Sequence, residues 1–307
     1  MTSSSLDAAS VNETETGEPV PGFPLKFTWF TGLWKQIFDK QIELIKADVD
    51  RARLDGRLVI YLSCPVSSRG GGWSGTNVDI ARHVERAILA RWGEAFWVLN
   101  PAQYQLESKA GKGLLDQHAR ALNIDLEELE RLAPPGGGDY MRMWTKILVE
   151  DDDGNVGRNF DAFYFLGPRD VFSFFTESGA QNLTAGIQAY FARKISTDAA
   201  FRDVFSIPNI AWGDLDQRAT TPGPRDKWSQ LRLAFQRFYG LRASANFSLG
   251  SHDEWAILRL VNAARRLKSA NPAMLDGDVS DQVAAFFDGV QVSMSATEAP
   301  VSRGYAV

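Results

Sequence analysis

Residues 159–180 decide the fold, and they read NFDAFYFLGPRDVFSFFTESGA. The apolar run AFYFL follows Asp161 and stops at the Gly-Pro pair that begins with Gly167, which is the pattern of a short buried strand. A second apolar run then leads to Glu177, where the next helix is predicted to begin. In open α/β sheets, ligands bind outside the carboxyl ends of the strands. This segment therefore predicts a parallel strand and makes Glu177 the first candidate for chemistry.

The upstream segments continue the alternation of strand and helix. The run LVIYL at 58–62 is short and continuously apolar, as in a central parallel strand. A glycine-rich loop at 63–76, a helix at 77–92 and a strand at 95–99 follow, and together they predict a βαβ unit with a right-handed crossover. Apolar residues at three- and four-residue spacing predict further helices at 25–55, 111–132, 139–150 and 176–195.

The pattern changes after residue 206. A strand is predicted at 207–212, and helices are predicted at 228–239, 251–268 and 279–287. The sequence thus predicts an α/β fold, flavodoxin-like or Rossmann-like. Its mostly parallel sheet is flanked by helices, with an N-terminal helix and a mainly helical C-terminal extension. The predicted parts are a disordered or extended arm (1–22), an α/β core with its leading helix (23–206), the extension (207–292) and a flexible tail (293–307).

Composition narrows the classes of function. The 307 residues carry a formal net charge of −5, so a broad nucleic-acid-binding surface is not expected. No apolar stretch is long enough to span a bilayer, and the polar N-terminus lacks the basic start and apolar core of a secretory signal. The single cysteine, Cys64, allows no intrachain disulfide. This fits a reducing compartment, and we expect a cytoplasmic protein without a membrane partner.

The loop after the first strand is a candidate ligand site. Backbone amides around Gly71 and Gly72, together with the start of the next helix, can bind an anion or a polar ligand. Trp73 can stack on a flat ligand such as a nucleobase. Pro65 and Gly167, which follow the two central strands, complete the predicted substrate-binding set. The loop has neither P-loop nor dinucleotide-binding spacing, and a mobile surface loop explains its glycines about equally well.

Three acids are the main candidates for chemistry. Asp139 starts a helix after a glycine run, Asp161 precedes a strand, and Glu177 follows one. Each alone is explained by a helix cap, a turn or the helix dipole. Their predicted positions around one edge of the sheet favour a shared site.

Other polar motifs have local explanations. His83 and His118 lie in predicted helices without metal-ligand spacing, so no metal site is expected. Ser251 and Glu254 match a capping box, which accounts for the sequence SHDE at 251–254 without any function.

Taken in order, these motifs resemble the nucleoside 2-deoxyribosyltransferase-like superfamily. The resemblance rests on a first strand that runs into YLSCP at 61–65, on the mid-chain acid Asp139, on Asp161 before an apolar strand, and on the helix start ESGA at 177–180. It covers about residues 58–195.

The resemblance implies chemistry at the N-glycosidic bond of a nucleoside or nucleotide. Glu177 would be the nucleophile at the anomeric carbon, and Tyr61 would hold it by its hydroxyl. Asp139 or Asp161 would orient the sugar or protonate the leaving base. Water as the acceptor gives an N-glycosidase and a second base gives a transferase, and the sequence leaves both open. No metal or organic cofactor is needed.

Two other hypotheses stay open. A non-catalytic nucleotide-binding or sensing protein on the same fold is favoured by Phe174 and Phe175, because their bulk can narrow the pocket. A structural or assembly protein is favoured by the aromatic-rich flanking helices and the long terminal segments. A homo-oligomer is expected.

Overall fold

The computed structural model describes residues 14–30, 32–66, 72–106, 109–135, 137–150, 156–206, 222–245, 248–269, 282–293, 300 and 304–306. It divides into two compact units. The sheet unit comprises Met1–Cys64, Ala87–Phe165 and Ser248–Val307, and the helical unit comprises Pro65–Arg86 and Leu166–Phe247. Each unit is assembled from separate stretches of the chain, so the division differs from the linear boundaries that the sequence predicts.

Strands and helices are numbered here in chain order. The strands are β1 (Thr14–Gly17), β2 (Lys26–Phe30), β3 (Leu58–Ser63), β4 (Phe96–Leu99), β5 (Ala162–Phe165), β6 (Ala284–Phe287), β7 (Val290–Val292) and β8 (Tyr305–Ala306). The α-helices are α1 (Leu33–Leu54), α2 (Ser74–Trp92), α3 (Lys109–Ala121), α4 (Leu126–Leu132), α5 (Gly137–Val149), α6 (Pro168–Thr176), α7 (Leu183–Thr197), α8 (Ala199–Phe205), α9 (Pro222–Arg242) and α10 (Leu249–Ser269).

A five-stranded sheet in the order β4-β3-β5-β6-β7 organises the sheet unit. β3 pairs in parallel with β4 and β5, and β5 pairs in parallel with β6, whereas β7 runs antiparallel to β6. All of β5 and five of the six residues of β3 are buried. Burial on both faces explains why these two strands read as continuous apolar runs. The prediction of an α/β fold with a mostly parallel sheet is confirmed.

The end of the C-terminal extension was predicted wrongly. Residues 284–287 and 290–292 form strands β6 and β7, not a helix at 279–287. Asp288 and Gly289 connect them with positive φ angles of 54° and 80°. An Asp-Gly pair with two positive φ angles is typical of a two-residue hairpin turn, and it ends any helical periodicity. The extension therefore supplies two strands of the sheet.

The N-terminal region also differs from the prediction. The helix expected at 25–55 is β2 followed by α1, and residues 14–17 of the predicted disordered or extended arm form the strand β1. β2 is the middle strand of a small antiparallel sheet in the order β1-β2-β8. Its sequence KFTWF alternates polar and aromatic residues, which is the period of a strand.

The helix predicted at 176–195 is interrupted. α6 ends at Thr176, and α7 begins only after Asn182, whose side chain accepts a hydrogen bond from the Ala185 amide at 2.9 Å. Gly179, in the turn between them, has a φ of 81°, which a glycine adopts at low cost. Glu177 therefore lies at the C-terminus of α6 and does not open a helix.

The other predicted helices need smaller corrections. The segment 111–132 forms two helices, α3 and α4, and the Asp125 side chain caps α4 by accepting from the Glu128 amide at 3.0 Å. The helices predicted at 139–150, 228–239 and 251–268 correspond to α5, α9 and α10. The strand predicted at 207–212 lies outside the described residues. Within the described part of the chain, no helix is both long and apolar enough to cross a membrane.

The core of the sheet unit forms around β3 and β5. Helix α1 contacts β3 and α5, and its apolar stripe is buried, including Ile37, Ile45 and Val49. Burying each such aliphatic side chain contributes about 1.5–3 kcal/mol relative to exposure. This packing fixes the position of β3, which carries Tyr61 and Ser63.

The helical unit has an aromatic core. The rings of Phe201 and Phe205 stack at 4.5 Å between centroids, and Phe235 lies 5.6 Å from each. Helices α6 and α7 approach closely at Gly186, where an added Cβ would lie 2.1 Å from the Phe175 carbonyl oxygen. Gly186 is thus required by packing.

Candidate functional site

The second half of β3 places two hydroxyl groups in the interior of the sheet unit. Tyr61 and Ser63 are fully buried and alternate with Leu62, so their side chains lie on the same face of the sheet. The Tyr61 ring packs against Phe160 and Phe163, each at 5.3 Å between centroids. This aromatic packing holds the phenol in one orientation.

Helix α10 delivers a glutamate to these hydroxyls. The helix begins at Leu249, and the Ser248 hydroxyl accepts a hydrogen bond from the Ser251 amide at 3.3 Å. The capping residue is therefore Ser248, and the predicted capping box of Ser251 with Glu254 is wrong. Because the Glu254 side chain does not cap the helix, it can form hydrogen bonds in the interior of the sheet unit.

Glu254 accepts hydrogen bonds on both carboxyl oxygens. The Tyr61 hydroxyl donates to Oε1 at 2.7 Å, and the Ser63 hydroxyl donates to Oε2 over a short distance. The residue is only 6% exposed. Burial raises the pKa of Glu254 to about 7, while the two hydroxyl donors act in the opposite direction and the charge of Asp253 adds to the increase.

A carboxyl group with this pKa can exchange a proton near neutral pH. About half of the Glu254 side chains are ionised at a pH equal to the pKa, so both a proton donor and a carboxylate are available. Strongly perturbed carboxyl groups are concentrated at functional sites. The Tyr61–Ser63–Glu254 cluster is therefore the strongest candidate for chemistry in the sheet unit.

Two further hydroxyl groups belong to the surroundings of this cluster. Ser251 precedes Glu254 by three residues, which places both on one face of α10. Its hydroxyl is buried and has no hydrogen-bond partner among the described residues. Tyr305 of β8 is hydrogen-bonded to the Thr145 hydroxyl at 2.5 Å. Burial raises the pKa of Tyr305, and the charges of Asp253 and Glu254 raise it further.

Glu177 has a different environment from the one predicted for it. It belongs to the helical unit, its side chain is 60% exposed, and its Oε2 lies 3.1 Å from His83 Nδ1. The carboxylate that Tyr61 holds is Glu254. The expectation that Tyr61 would hold Glu177 is replaced by this contact.

Asp161 and Asp139 are engaged in separate contacts of the sheet unit. Asp161 accepts from the Val59 amide at 2.7 Å, so it ties the amino ends of β3 and β5 together, whereas Ser63 lies at the carboxyl end of β3. Asp161 therefore does not share the sheet edge predicted for it. Asp139, in the first turn of α5, forms an ion pair with Arg142 at 2.8 Å.

The predicted substrate-binding residues that the structure describes lie in the helical unit. Trp73 donates its amide to the Tyr239 hydroxyl at 3.0 Å, and its ring packs edge-on against Phe201 and Phe205. A Cβ atom added to Gly72 would lie 2.3 Å from Cε1 of the Phe238 ring, which is too close for two carbon atoms. These contacts show that Gly72 and Trp73 contribute to packing. The role of both residues in substrate binding stays a prediction.

The remaining three residues of that predicted set are placed as follows. Gly167 is the N-cap of α6 and donates its amide to Asp170 at 3.0 Å. Pro65 is buried. Gly71 lies outside the described residues. No group of three or more His, Cys, Asp or Glu side chains that could hold a metal ion occurs in the described ranges.

Glu254 is the residue that sequence reasoning missed. Its local sequence fits a capping box, and only the pairing of α10 with β3, which lies 191 residues away in the chain, shows its partner. An earlier serine, Ser248, was the signal that the helix could begin one turn sooner. Comparison with known proteins adds no relative, since no family model, curated protein or solved structure matches this chain.

Proposed function

We propose that this protein is an enzyme that cleaves or transfers at the N-glycosidic bond of a nucleoside or nucleotide, with Glu254 as the reacting carboxyl group. The observation that carries the proposal is the buried Glu254 carboxyl, held by the hydroxyls of Tyr61 and Ser63. A tyrosine of the first strand that holds a glutamate is the arrangement implied by the resemblance. The resemblance implies Glu177 as that glutamate, whereas the glutamate that contacts Tyr61 is Glu254.

The strand order supports the position of the site. Counting only the strands of the larger sheet in chain order, the order β4-β3-β5-β6-β7 reads 2-1-3-4-5, as in flavodoxin-like folds, and we propose that assignment. In such sheets the ligand lies at the carboxyl ends of the first and third strands, which are β3 and β5 here. Ser63 is the last residue of β3, so Glu254 is held at that edge.

The proposed chemistry requires one covalent intermediate. The ionised Glu254 oxygen attacks the anomeric carbon while the bond from that carbon to the base nitrogen breaks, and the departing base takes a proton from a water molecule, which leaves hydroxide to be neutralised by the solvent. Water or a second base then attacks the same carbon and releases the Glu254 carboxylate. Tyr61 and Ser63 stabilise the carboxylate through their hydrogen bonds and fix its orientation. The Ser251 hydroxyl is a candidate for binding the sugar.

The test is base release from a panel of nucleosides and nucleoside monophosphates, measured by chromatography. Wild type is compared with Glu254→Gln and with Glu177→Gln as the matched control, after circular dichroism has shown that each variant is folded. Release by wild type and by Glu177→Gln, but not by Glu254→Gln, supports the proposal. Base release that depends on Glu177 and not on Glu254 would instead identify Glu177, the residue predicted from the sequence, as the nucleophile.

A second candidate is a non-catalytic nucleotide-binding or sensing protein. The complete burial of Tyr61 and Ser63 favours a non-catalytic protein over an enzyme, because a closed cluster stabilises the fold without bringing a reacting sugar to Glu254. A thermal-shift screen with the same panel separates the two functions, since a binder gains stability from its ligand and releases no base. The expected homo-oligomer and cytoplasmic location remain part of the proposal, and light scattering of the purified protein tests the first of these.

A further inference from the structure

Three polar side chains of the helical unit form a second arrangement, separate from the Glu254 cluster. The Ser173 hydroxyl lies 3.2 Å from His83 Nε2, and Glu177 Oε2 lies 3.1 Å from His83 Nδ1. Ser173 and Glu177 are four residues apart at the end of α6, so both side chains reach the same ring from one helix face. His83 comes from α2.

The two contacts fit a neutral ring that carries its proton on Nδ1. With the proton on Nδ1, His83 donates to the Glu177 carboxylate, and the free Nε2 accepts from the Ser173 hydroxyl. A nucleophile that touches a base, which in turn is oriented by a third group, is the geometric signature of an activated hydroxyl. Both distances are within the range expected for a general base.

The exposure of Ser173 and the burial of His83 fit the roles of nucleophile and general base. Ser173 is exposed, so a reagent can reach its oxygen, whereas His83 is buried. The Phe174 ring packs edge-on against the imidazole at 5.7 Å between centroids. His83 is thus largely withdrawn from water, whereas Ser173 and the Glu177 carboxylate remain accessible to it.

We propose that Ser173 is an activated nucleophile that accepts an acyl group from a small ester, with His83 as the general base and Glu177 as the residue that orients His83. The Ser173 oxygen bonds to the ester carbonyl carbon and transfers its proton to His83 Nε2. The bond from that carbon to the alcohol oxygen then breaks, and His83 returns the proton to the departing alcohol. Water completes the cycle by the same steps and regenerates Ser173.

The position of Ser173 within α6 sets the expected rate. The amide of Glu177 already donates to the Ser173 carbonyl, as in a regular helix, and helix amides of this kind are not available to bind an oxyanion. Removing a single oxyanion donor from a serine hydrolase costs about 10²–10³-fold in turnover. We therefore expect acylation or phosphonylation of Ser173 with little turnover.

The experiment is labelling of the full chain with a fluorophosphonate probe, followed by peptide mass spectrometry over time. The reference is Ser196, an exposed helical serine whose hydroxyl donates to the Arg193 carbonyl oxygen at 2.7 Å. Ser173 is expected to react roughly 10²–10⁴-fold faster than Ser196, which is the usual contribution of a positioned base. Ser173→Ala is expected to lose the fast label, and the neighbouring Ser178→Ala is expected to keep it.

Two variants keep the test decisive. His83→Gln is expected to reduce labelling of Ser173 to the level of Ser196 in a protein that circular dichroism shows to be folded. If this buried substitution prevents folding, Glu177→Gln, which changes an exposed side chain, is expected to slow labelling. Equal rates at Ser173 and Ser196 in wild type, or a fast label that survives both His83→Gln and Glu177→Gln, would overturn the proposal.

Discussion

Glu254 of the sheet unit and Glu177 of the helical unit are both held by polar partners, yet their environments are opposite. Glu254 is 6% exposed and accepts from two buried hydroxyls. Glu177 has a side chain that is 60% exposed and contacts one histidine. Burial raises the pKa of Glu254 to about 7. The difference between the two residues lies in their access to solvent, because the desolvation that raises the pKa of Glu254 comes from its burial.

The comparison also separates local sequence from tertiary environment. Glu177 drew attention because it follows an apolar run and precedes small residues. Glu254 drew none, because a first-turn glutamate after a serine has an ordinary explanation. The functional difference between the two residues lies in what packs around them, and each can be tested by substitutions that leave side-chain size almost unchanged.

The largest expected effect is on catalysis. Glu254→Gln keeps the shape of the side chain but removes both the nucleophilic carboxylate and the titratable proton. We expect base release to fall by about 10⁶-fold, which is the order of the loss when the nucleophile of a covalent mechanism is removed. Glu177→Gln is expected to retain most of the wild-type rate. Initial rates on the best substrate of the panel, at matched protein concentration, measure both.

The next largest effect is the pH dependence of stability. The ordinary pKa of about 4.5 applies to Glu254 in the unfolded chain, and about 7 applies in the folded chain. As the pH rises between these values, the unfolded state loses the proton while the folded state retains it. The free energy of unfolding attributable to Glu254 is therefore greatest below pH 4.5 and falls by about 3 kcal/mol by pH 8.

Urea unfolding at several pH values measures this change. Other groups titrate over the same range, so the relevant quantity is the difference between wild type and Glu254→Gln at each pH. Glu177→Gln, which changes an exposed side chain, is measured at the same pH values as the control. A wild-type curve parallel to that of Glu254→Gln from pH 4 to 8 would show that Glu254 is not held as a raised-pKa carboxyl group.

Removal of the tyrosine donor has a smaller effect. Tyr61→Phe leaves the ring packing intact but deprives Glu254 Oε1 of its hydrogen bond at 2.7 Å. Loss of a partner for a buried acceptor costs about 1–3 kcal/mol. Because this donor lowers the pKa of Glu254, its loss is expected to move the stability decline to higher pH.

A matched tyrosine in the helical unit provides the control. The Tyr190 hydroxyl donates to Asp79 Oδ2, also at 2.7 Å. Tyr190→Phe is expected to lower stability without moving the pH of the decline. If both variants move that pH equally, the Tyr61 contact has no specific influence on Glu254.

The parts of the fold that could be predicted from sequence are those set by local patterns. Continuous apolar runs identified β3 and β5 because both faces of these strands are buried. The apolar run of β6 is short and predicts a helix, although the Asp288-Gly289 pair that follows it is typical of a hairpin turn. A short apolar run does not by itself distinguish a strand from a helix.

The candidate site depends on contacts that no local pattern contains. Tyr61 was identified from its strand, but its partner is 193 residues away in the chain. Asp161 was grouped with the site although it precedes β5, and in a parallel sheet the residue before a strand lies at the opposite edge from the residue after it. The position of Asp161 at the amino edge of the sheet therefore follows from the parallel topology alone.

The smallest expected effect is that of Glu177 on stability. Its side chain is 60% exposed, so water solvates the carboxylate whether or not His83 is near. Exposed ion pairs contribute about 0.2–1 kcal/mol, and we expect Glu177→Gln to lower the free energy of unfolding by no more than that. Urea unfolding at pH 7 measures the change, with Glu254→Gln as the buried counterpart. A loss of several kcal/mol would show that the His83 contact is structural, because an exposed carboxylate can cost that much only if it secures the packing of α6 on α2. The contrast between a buried functional glutamate and an exposed orienting one would then have to be abandoned.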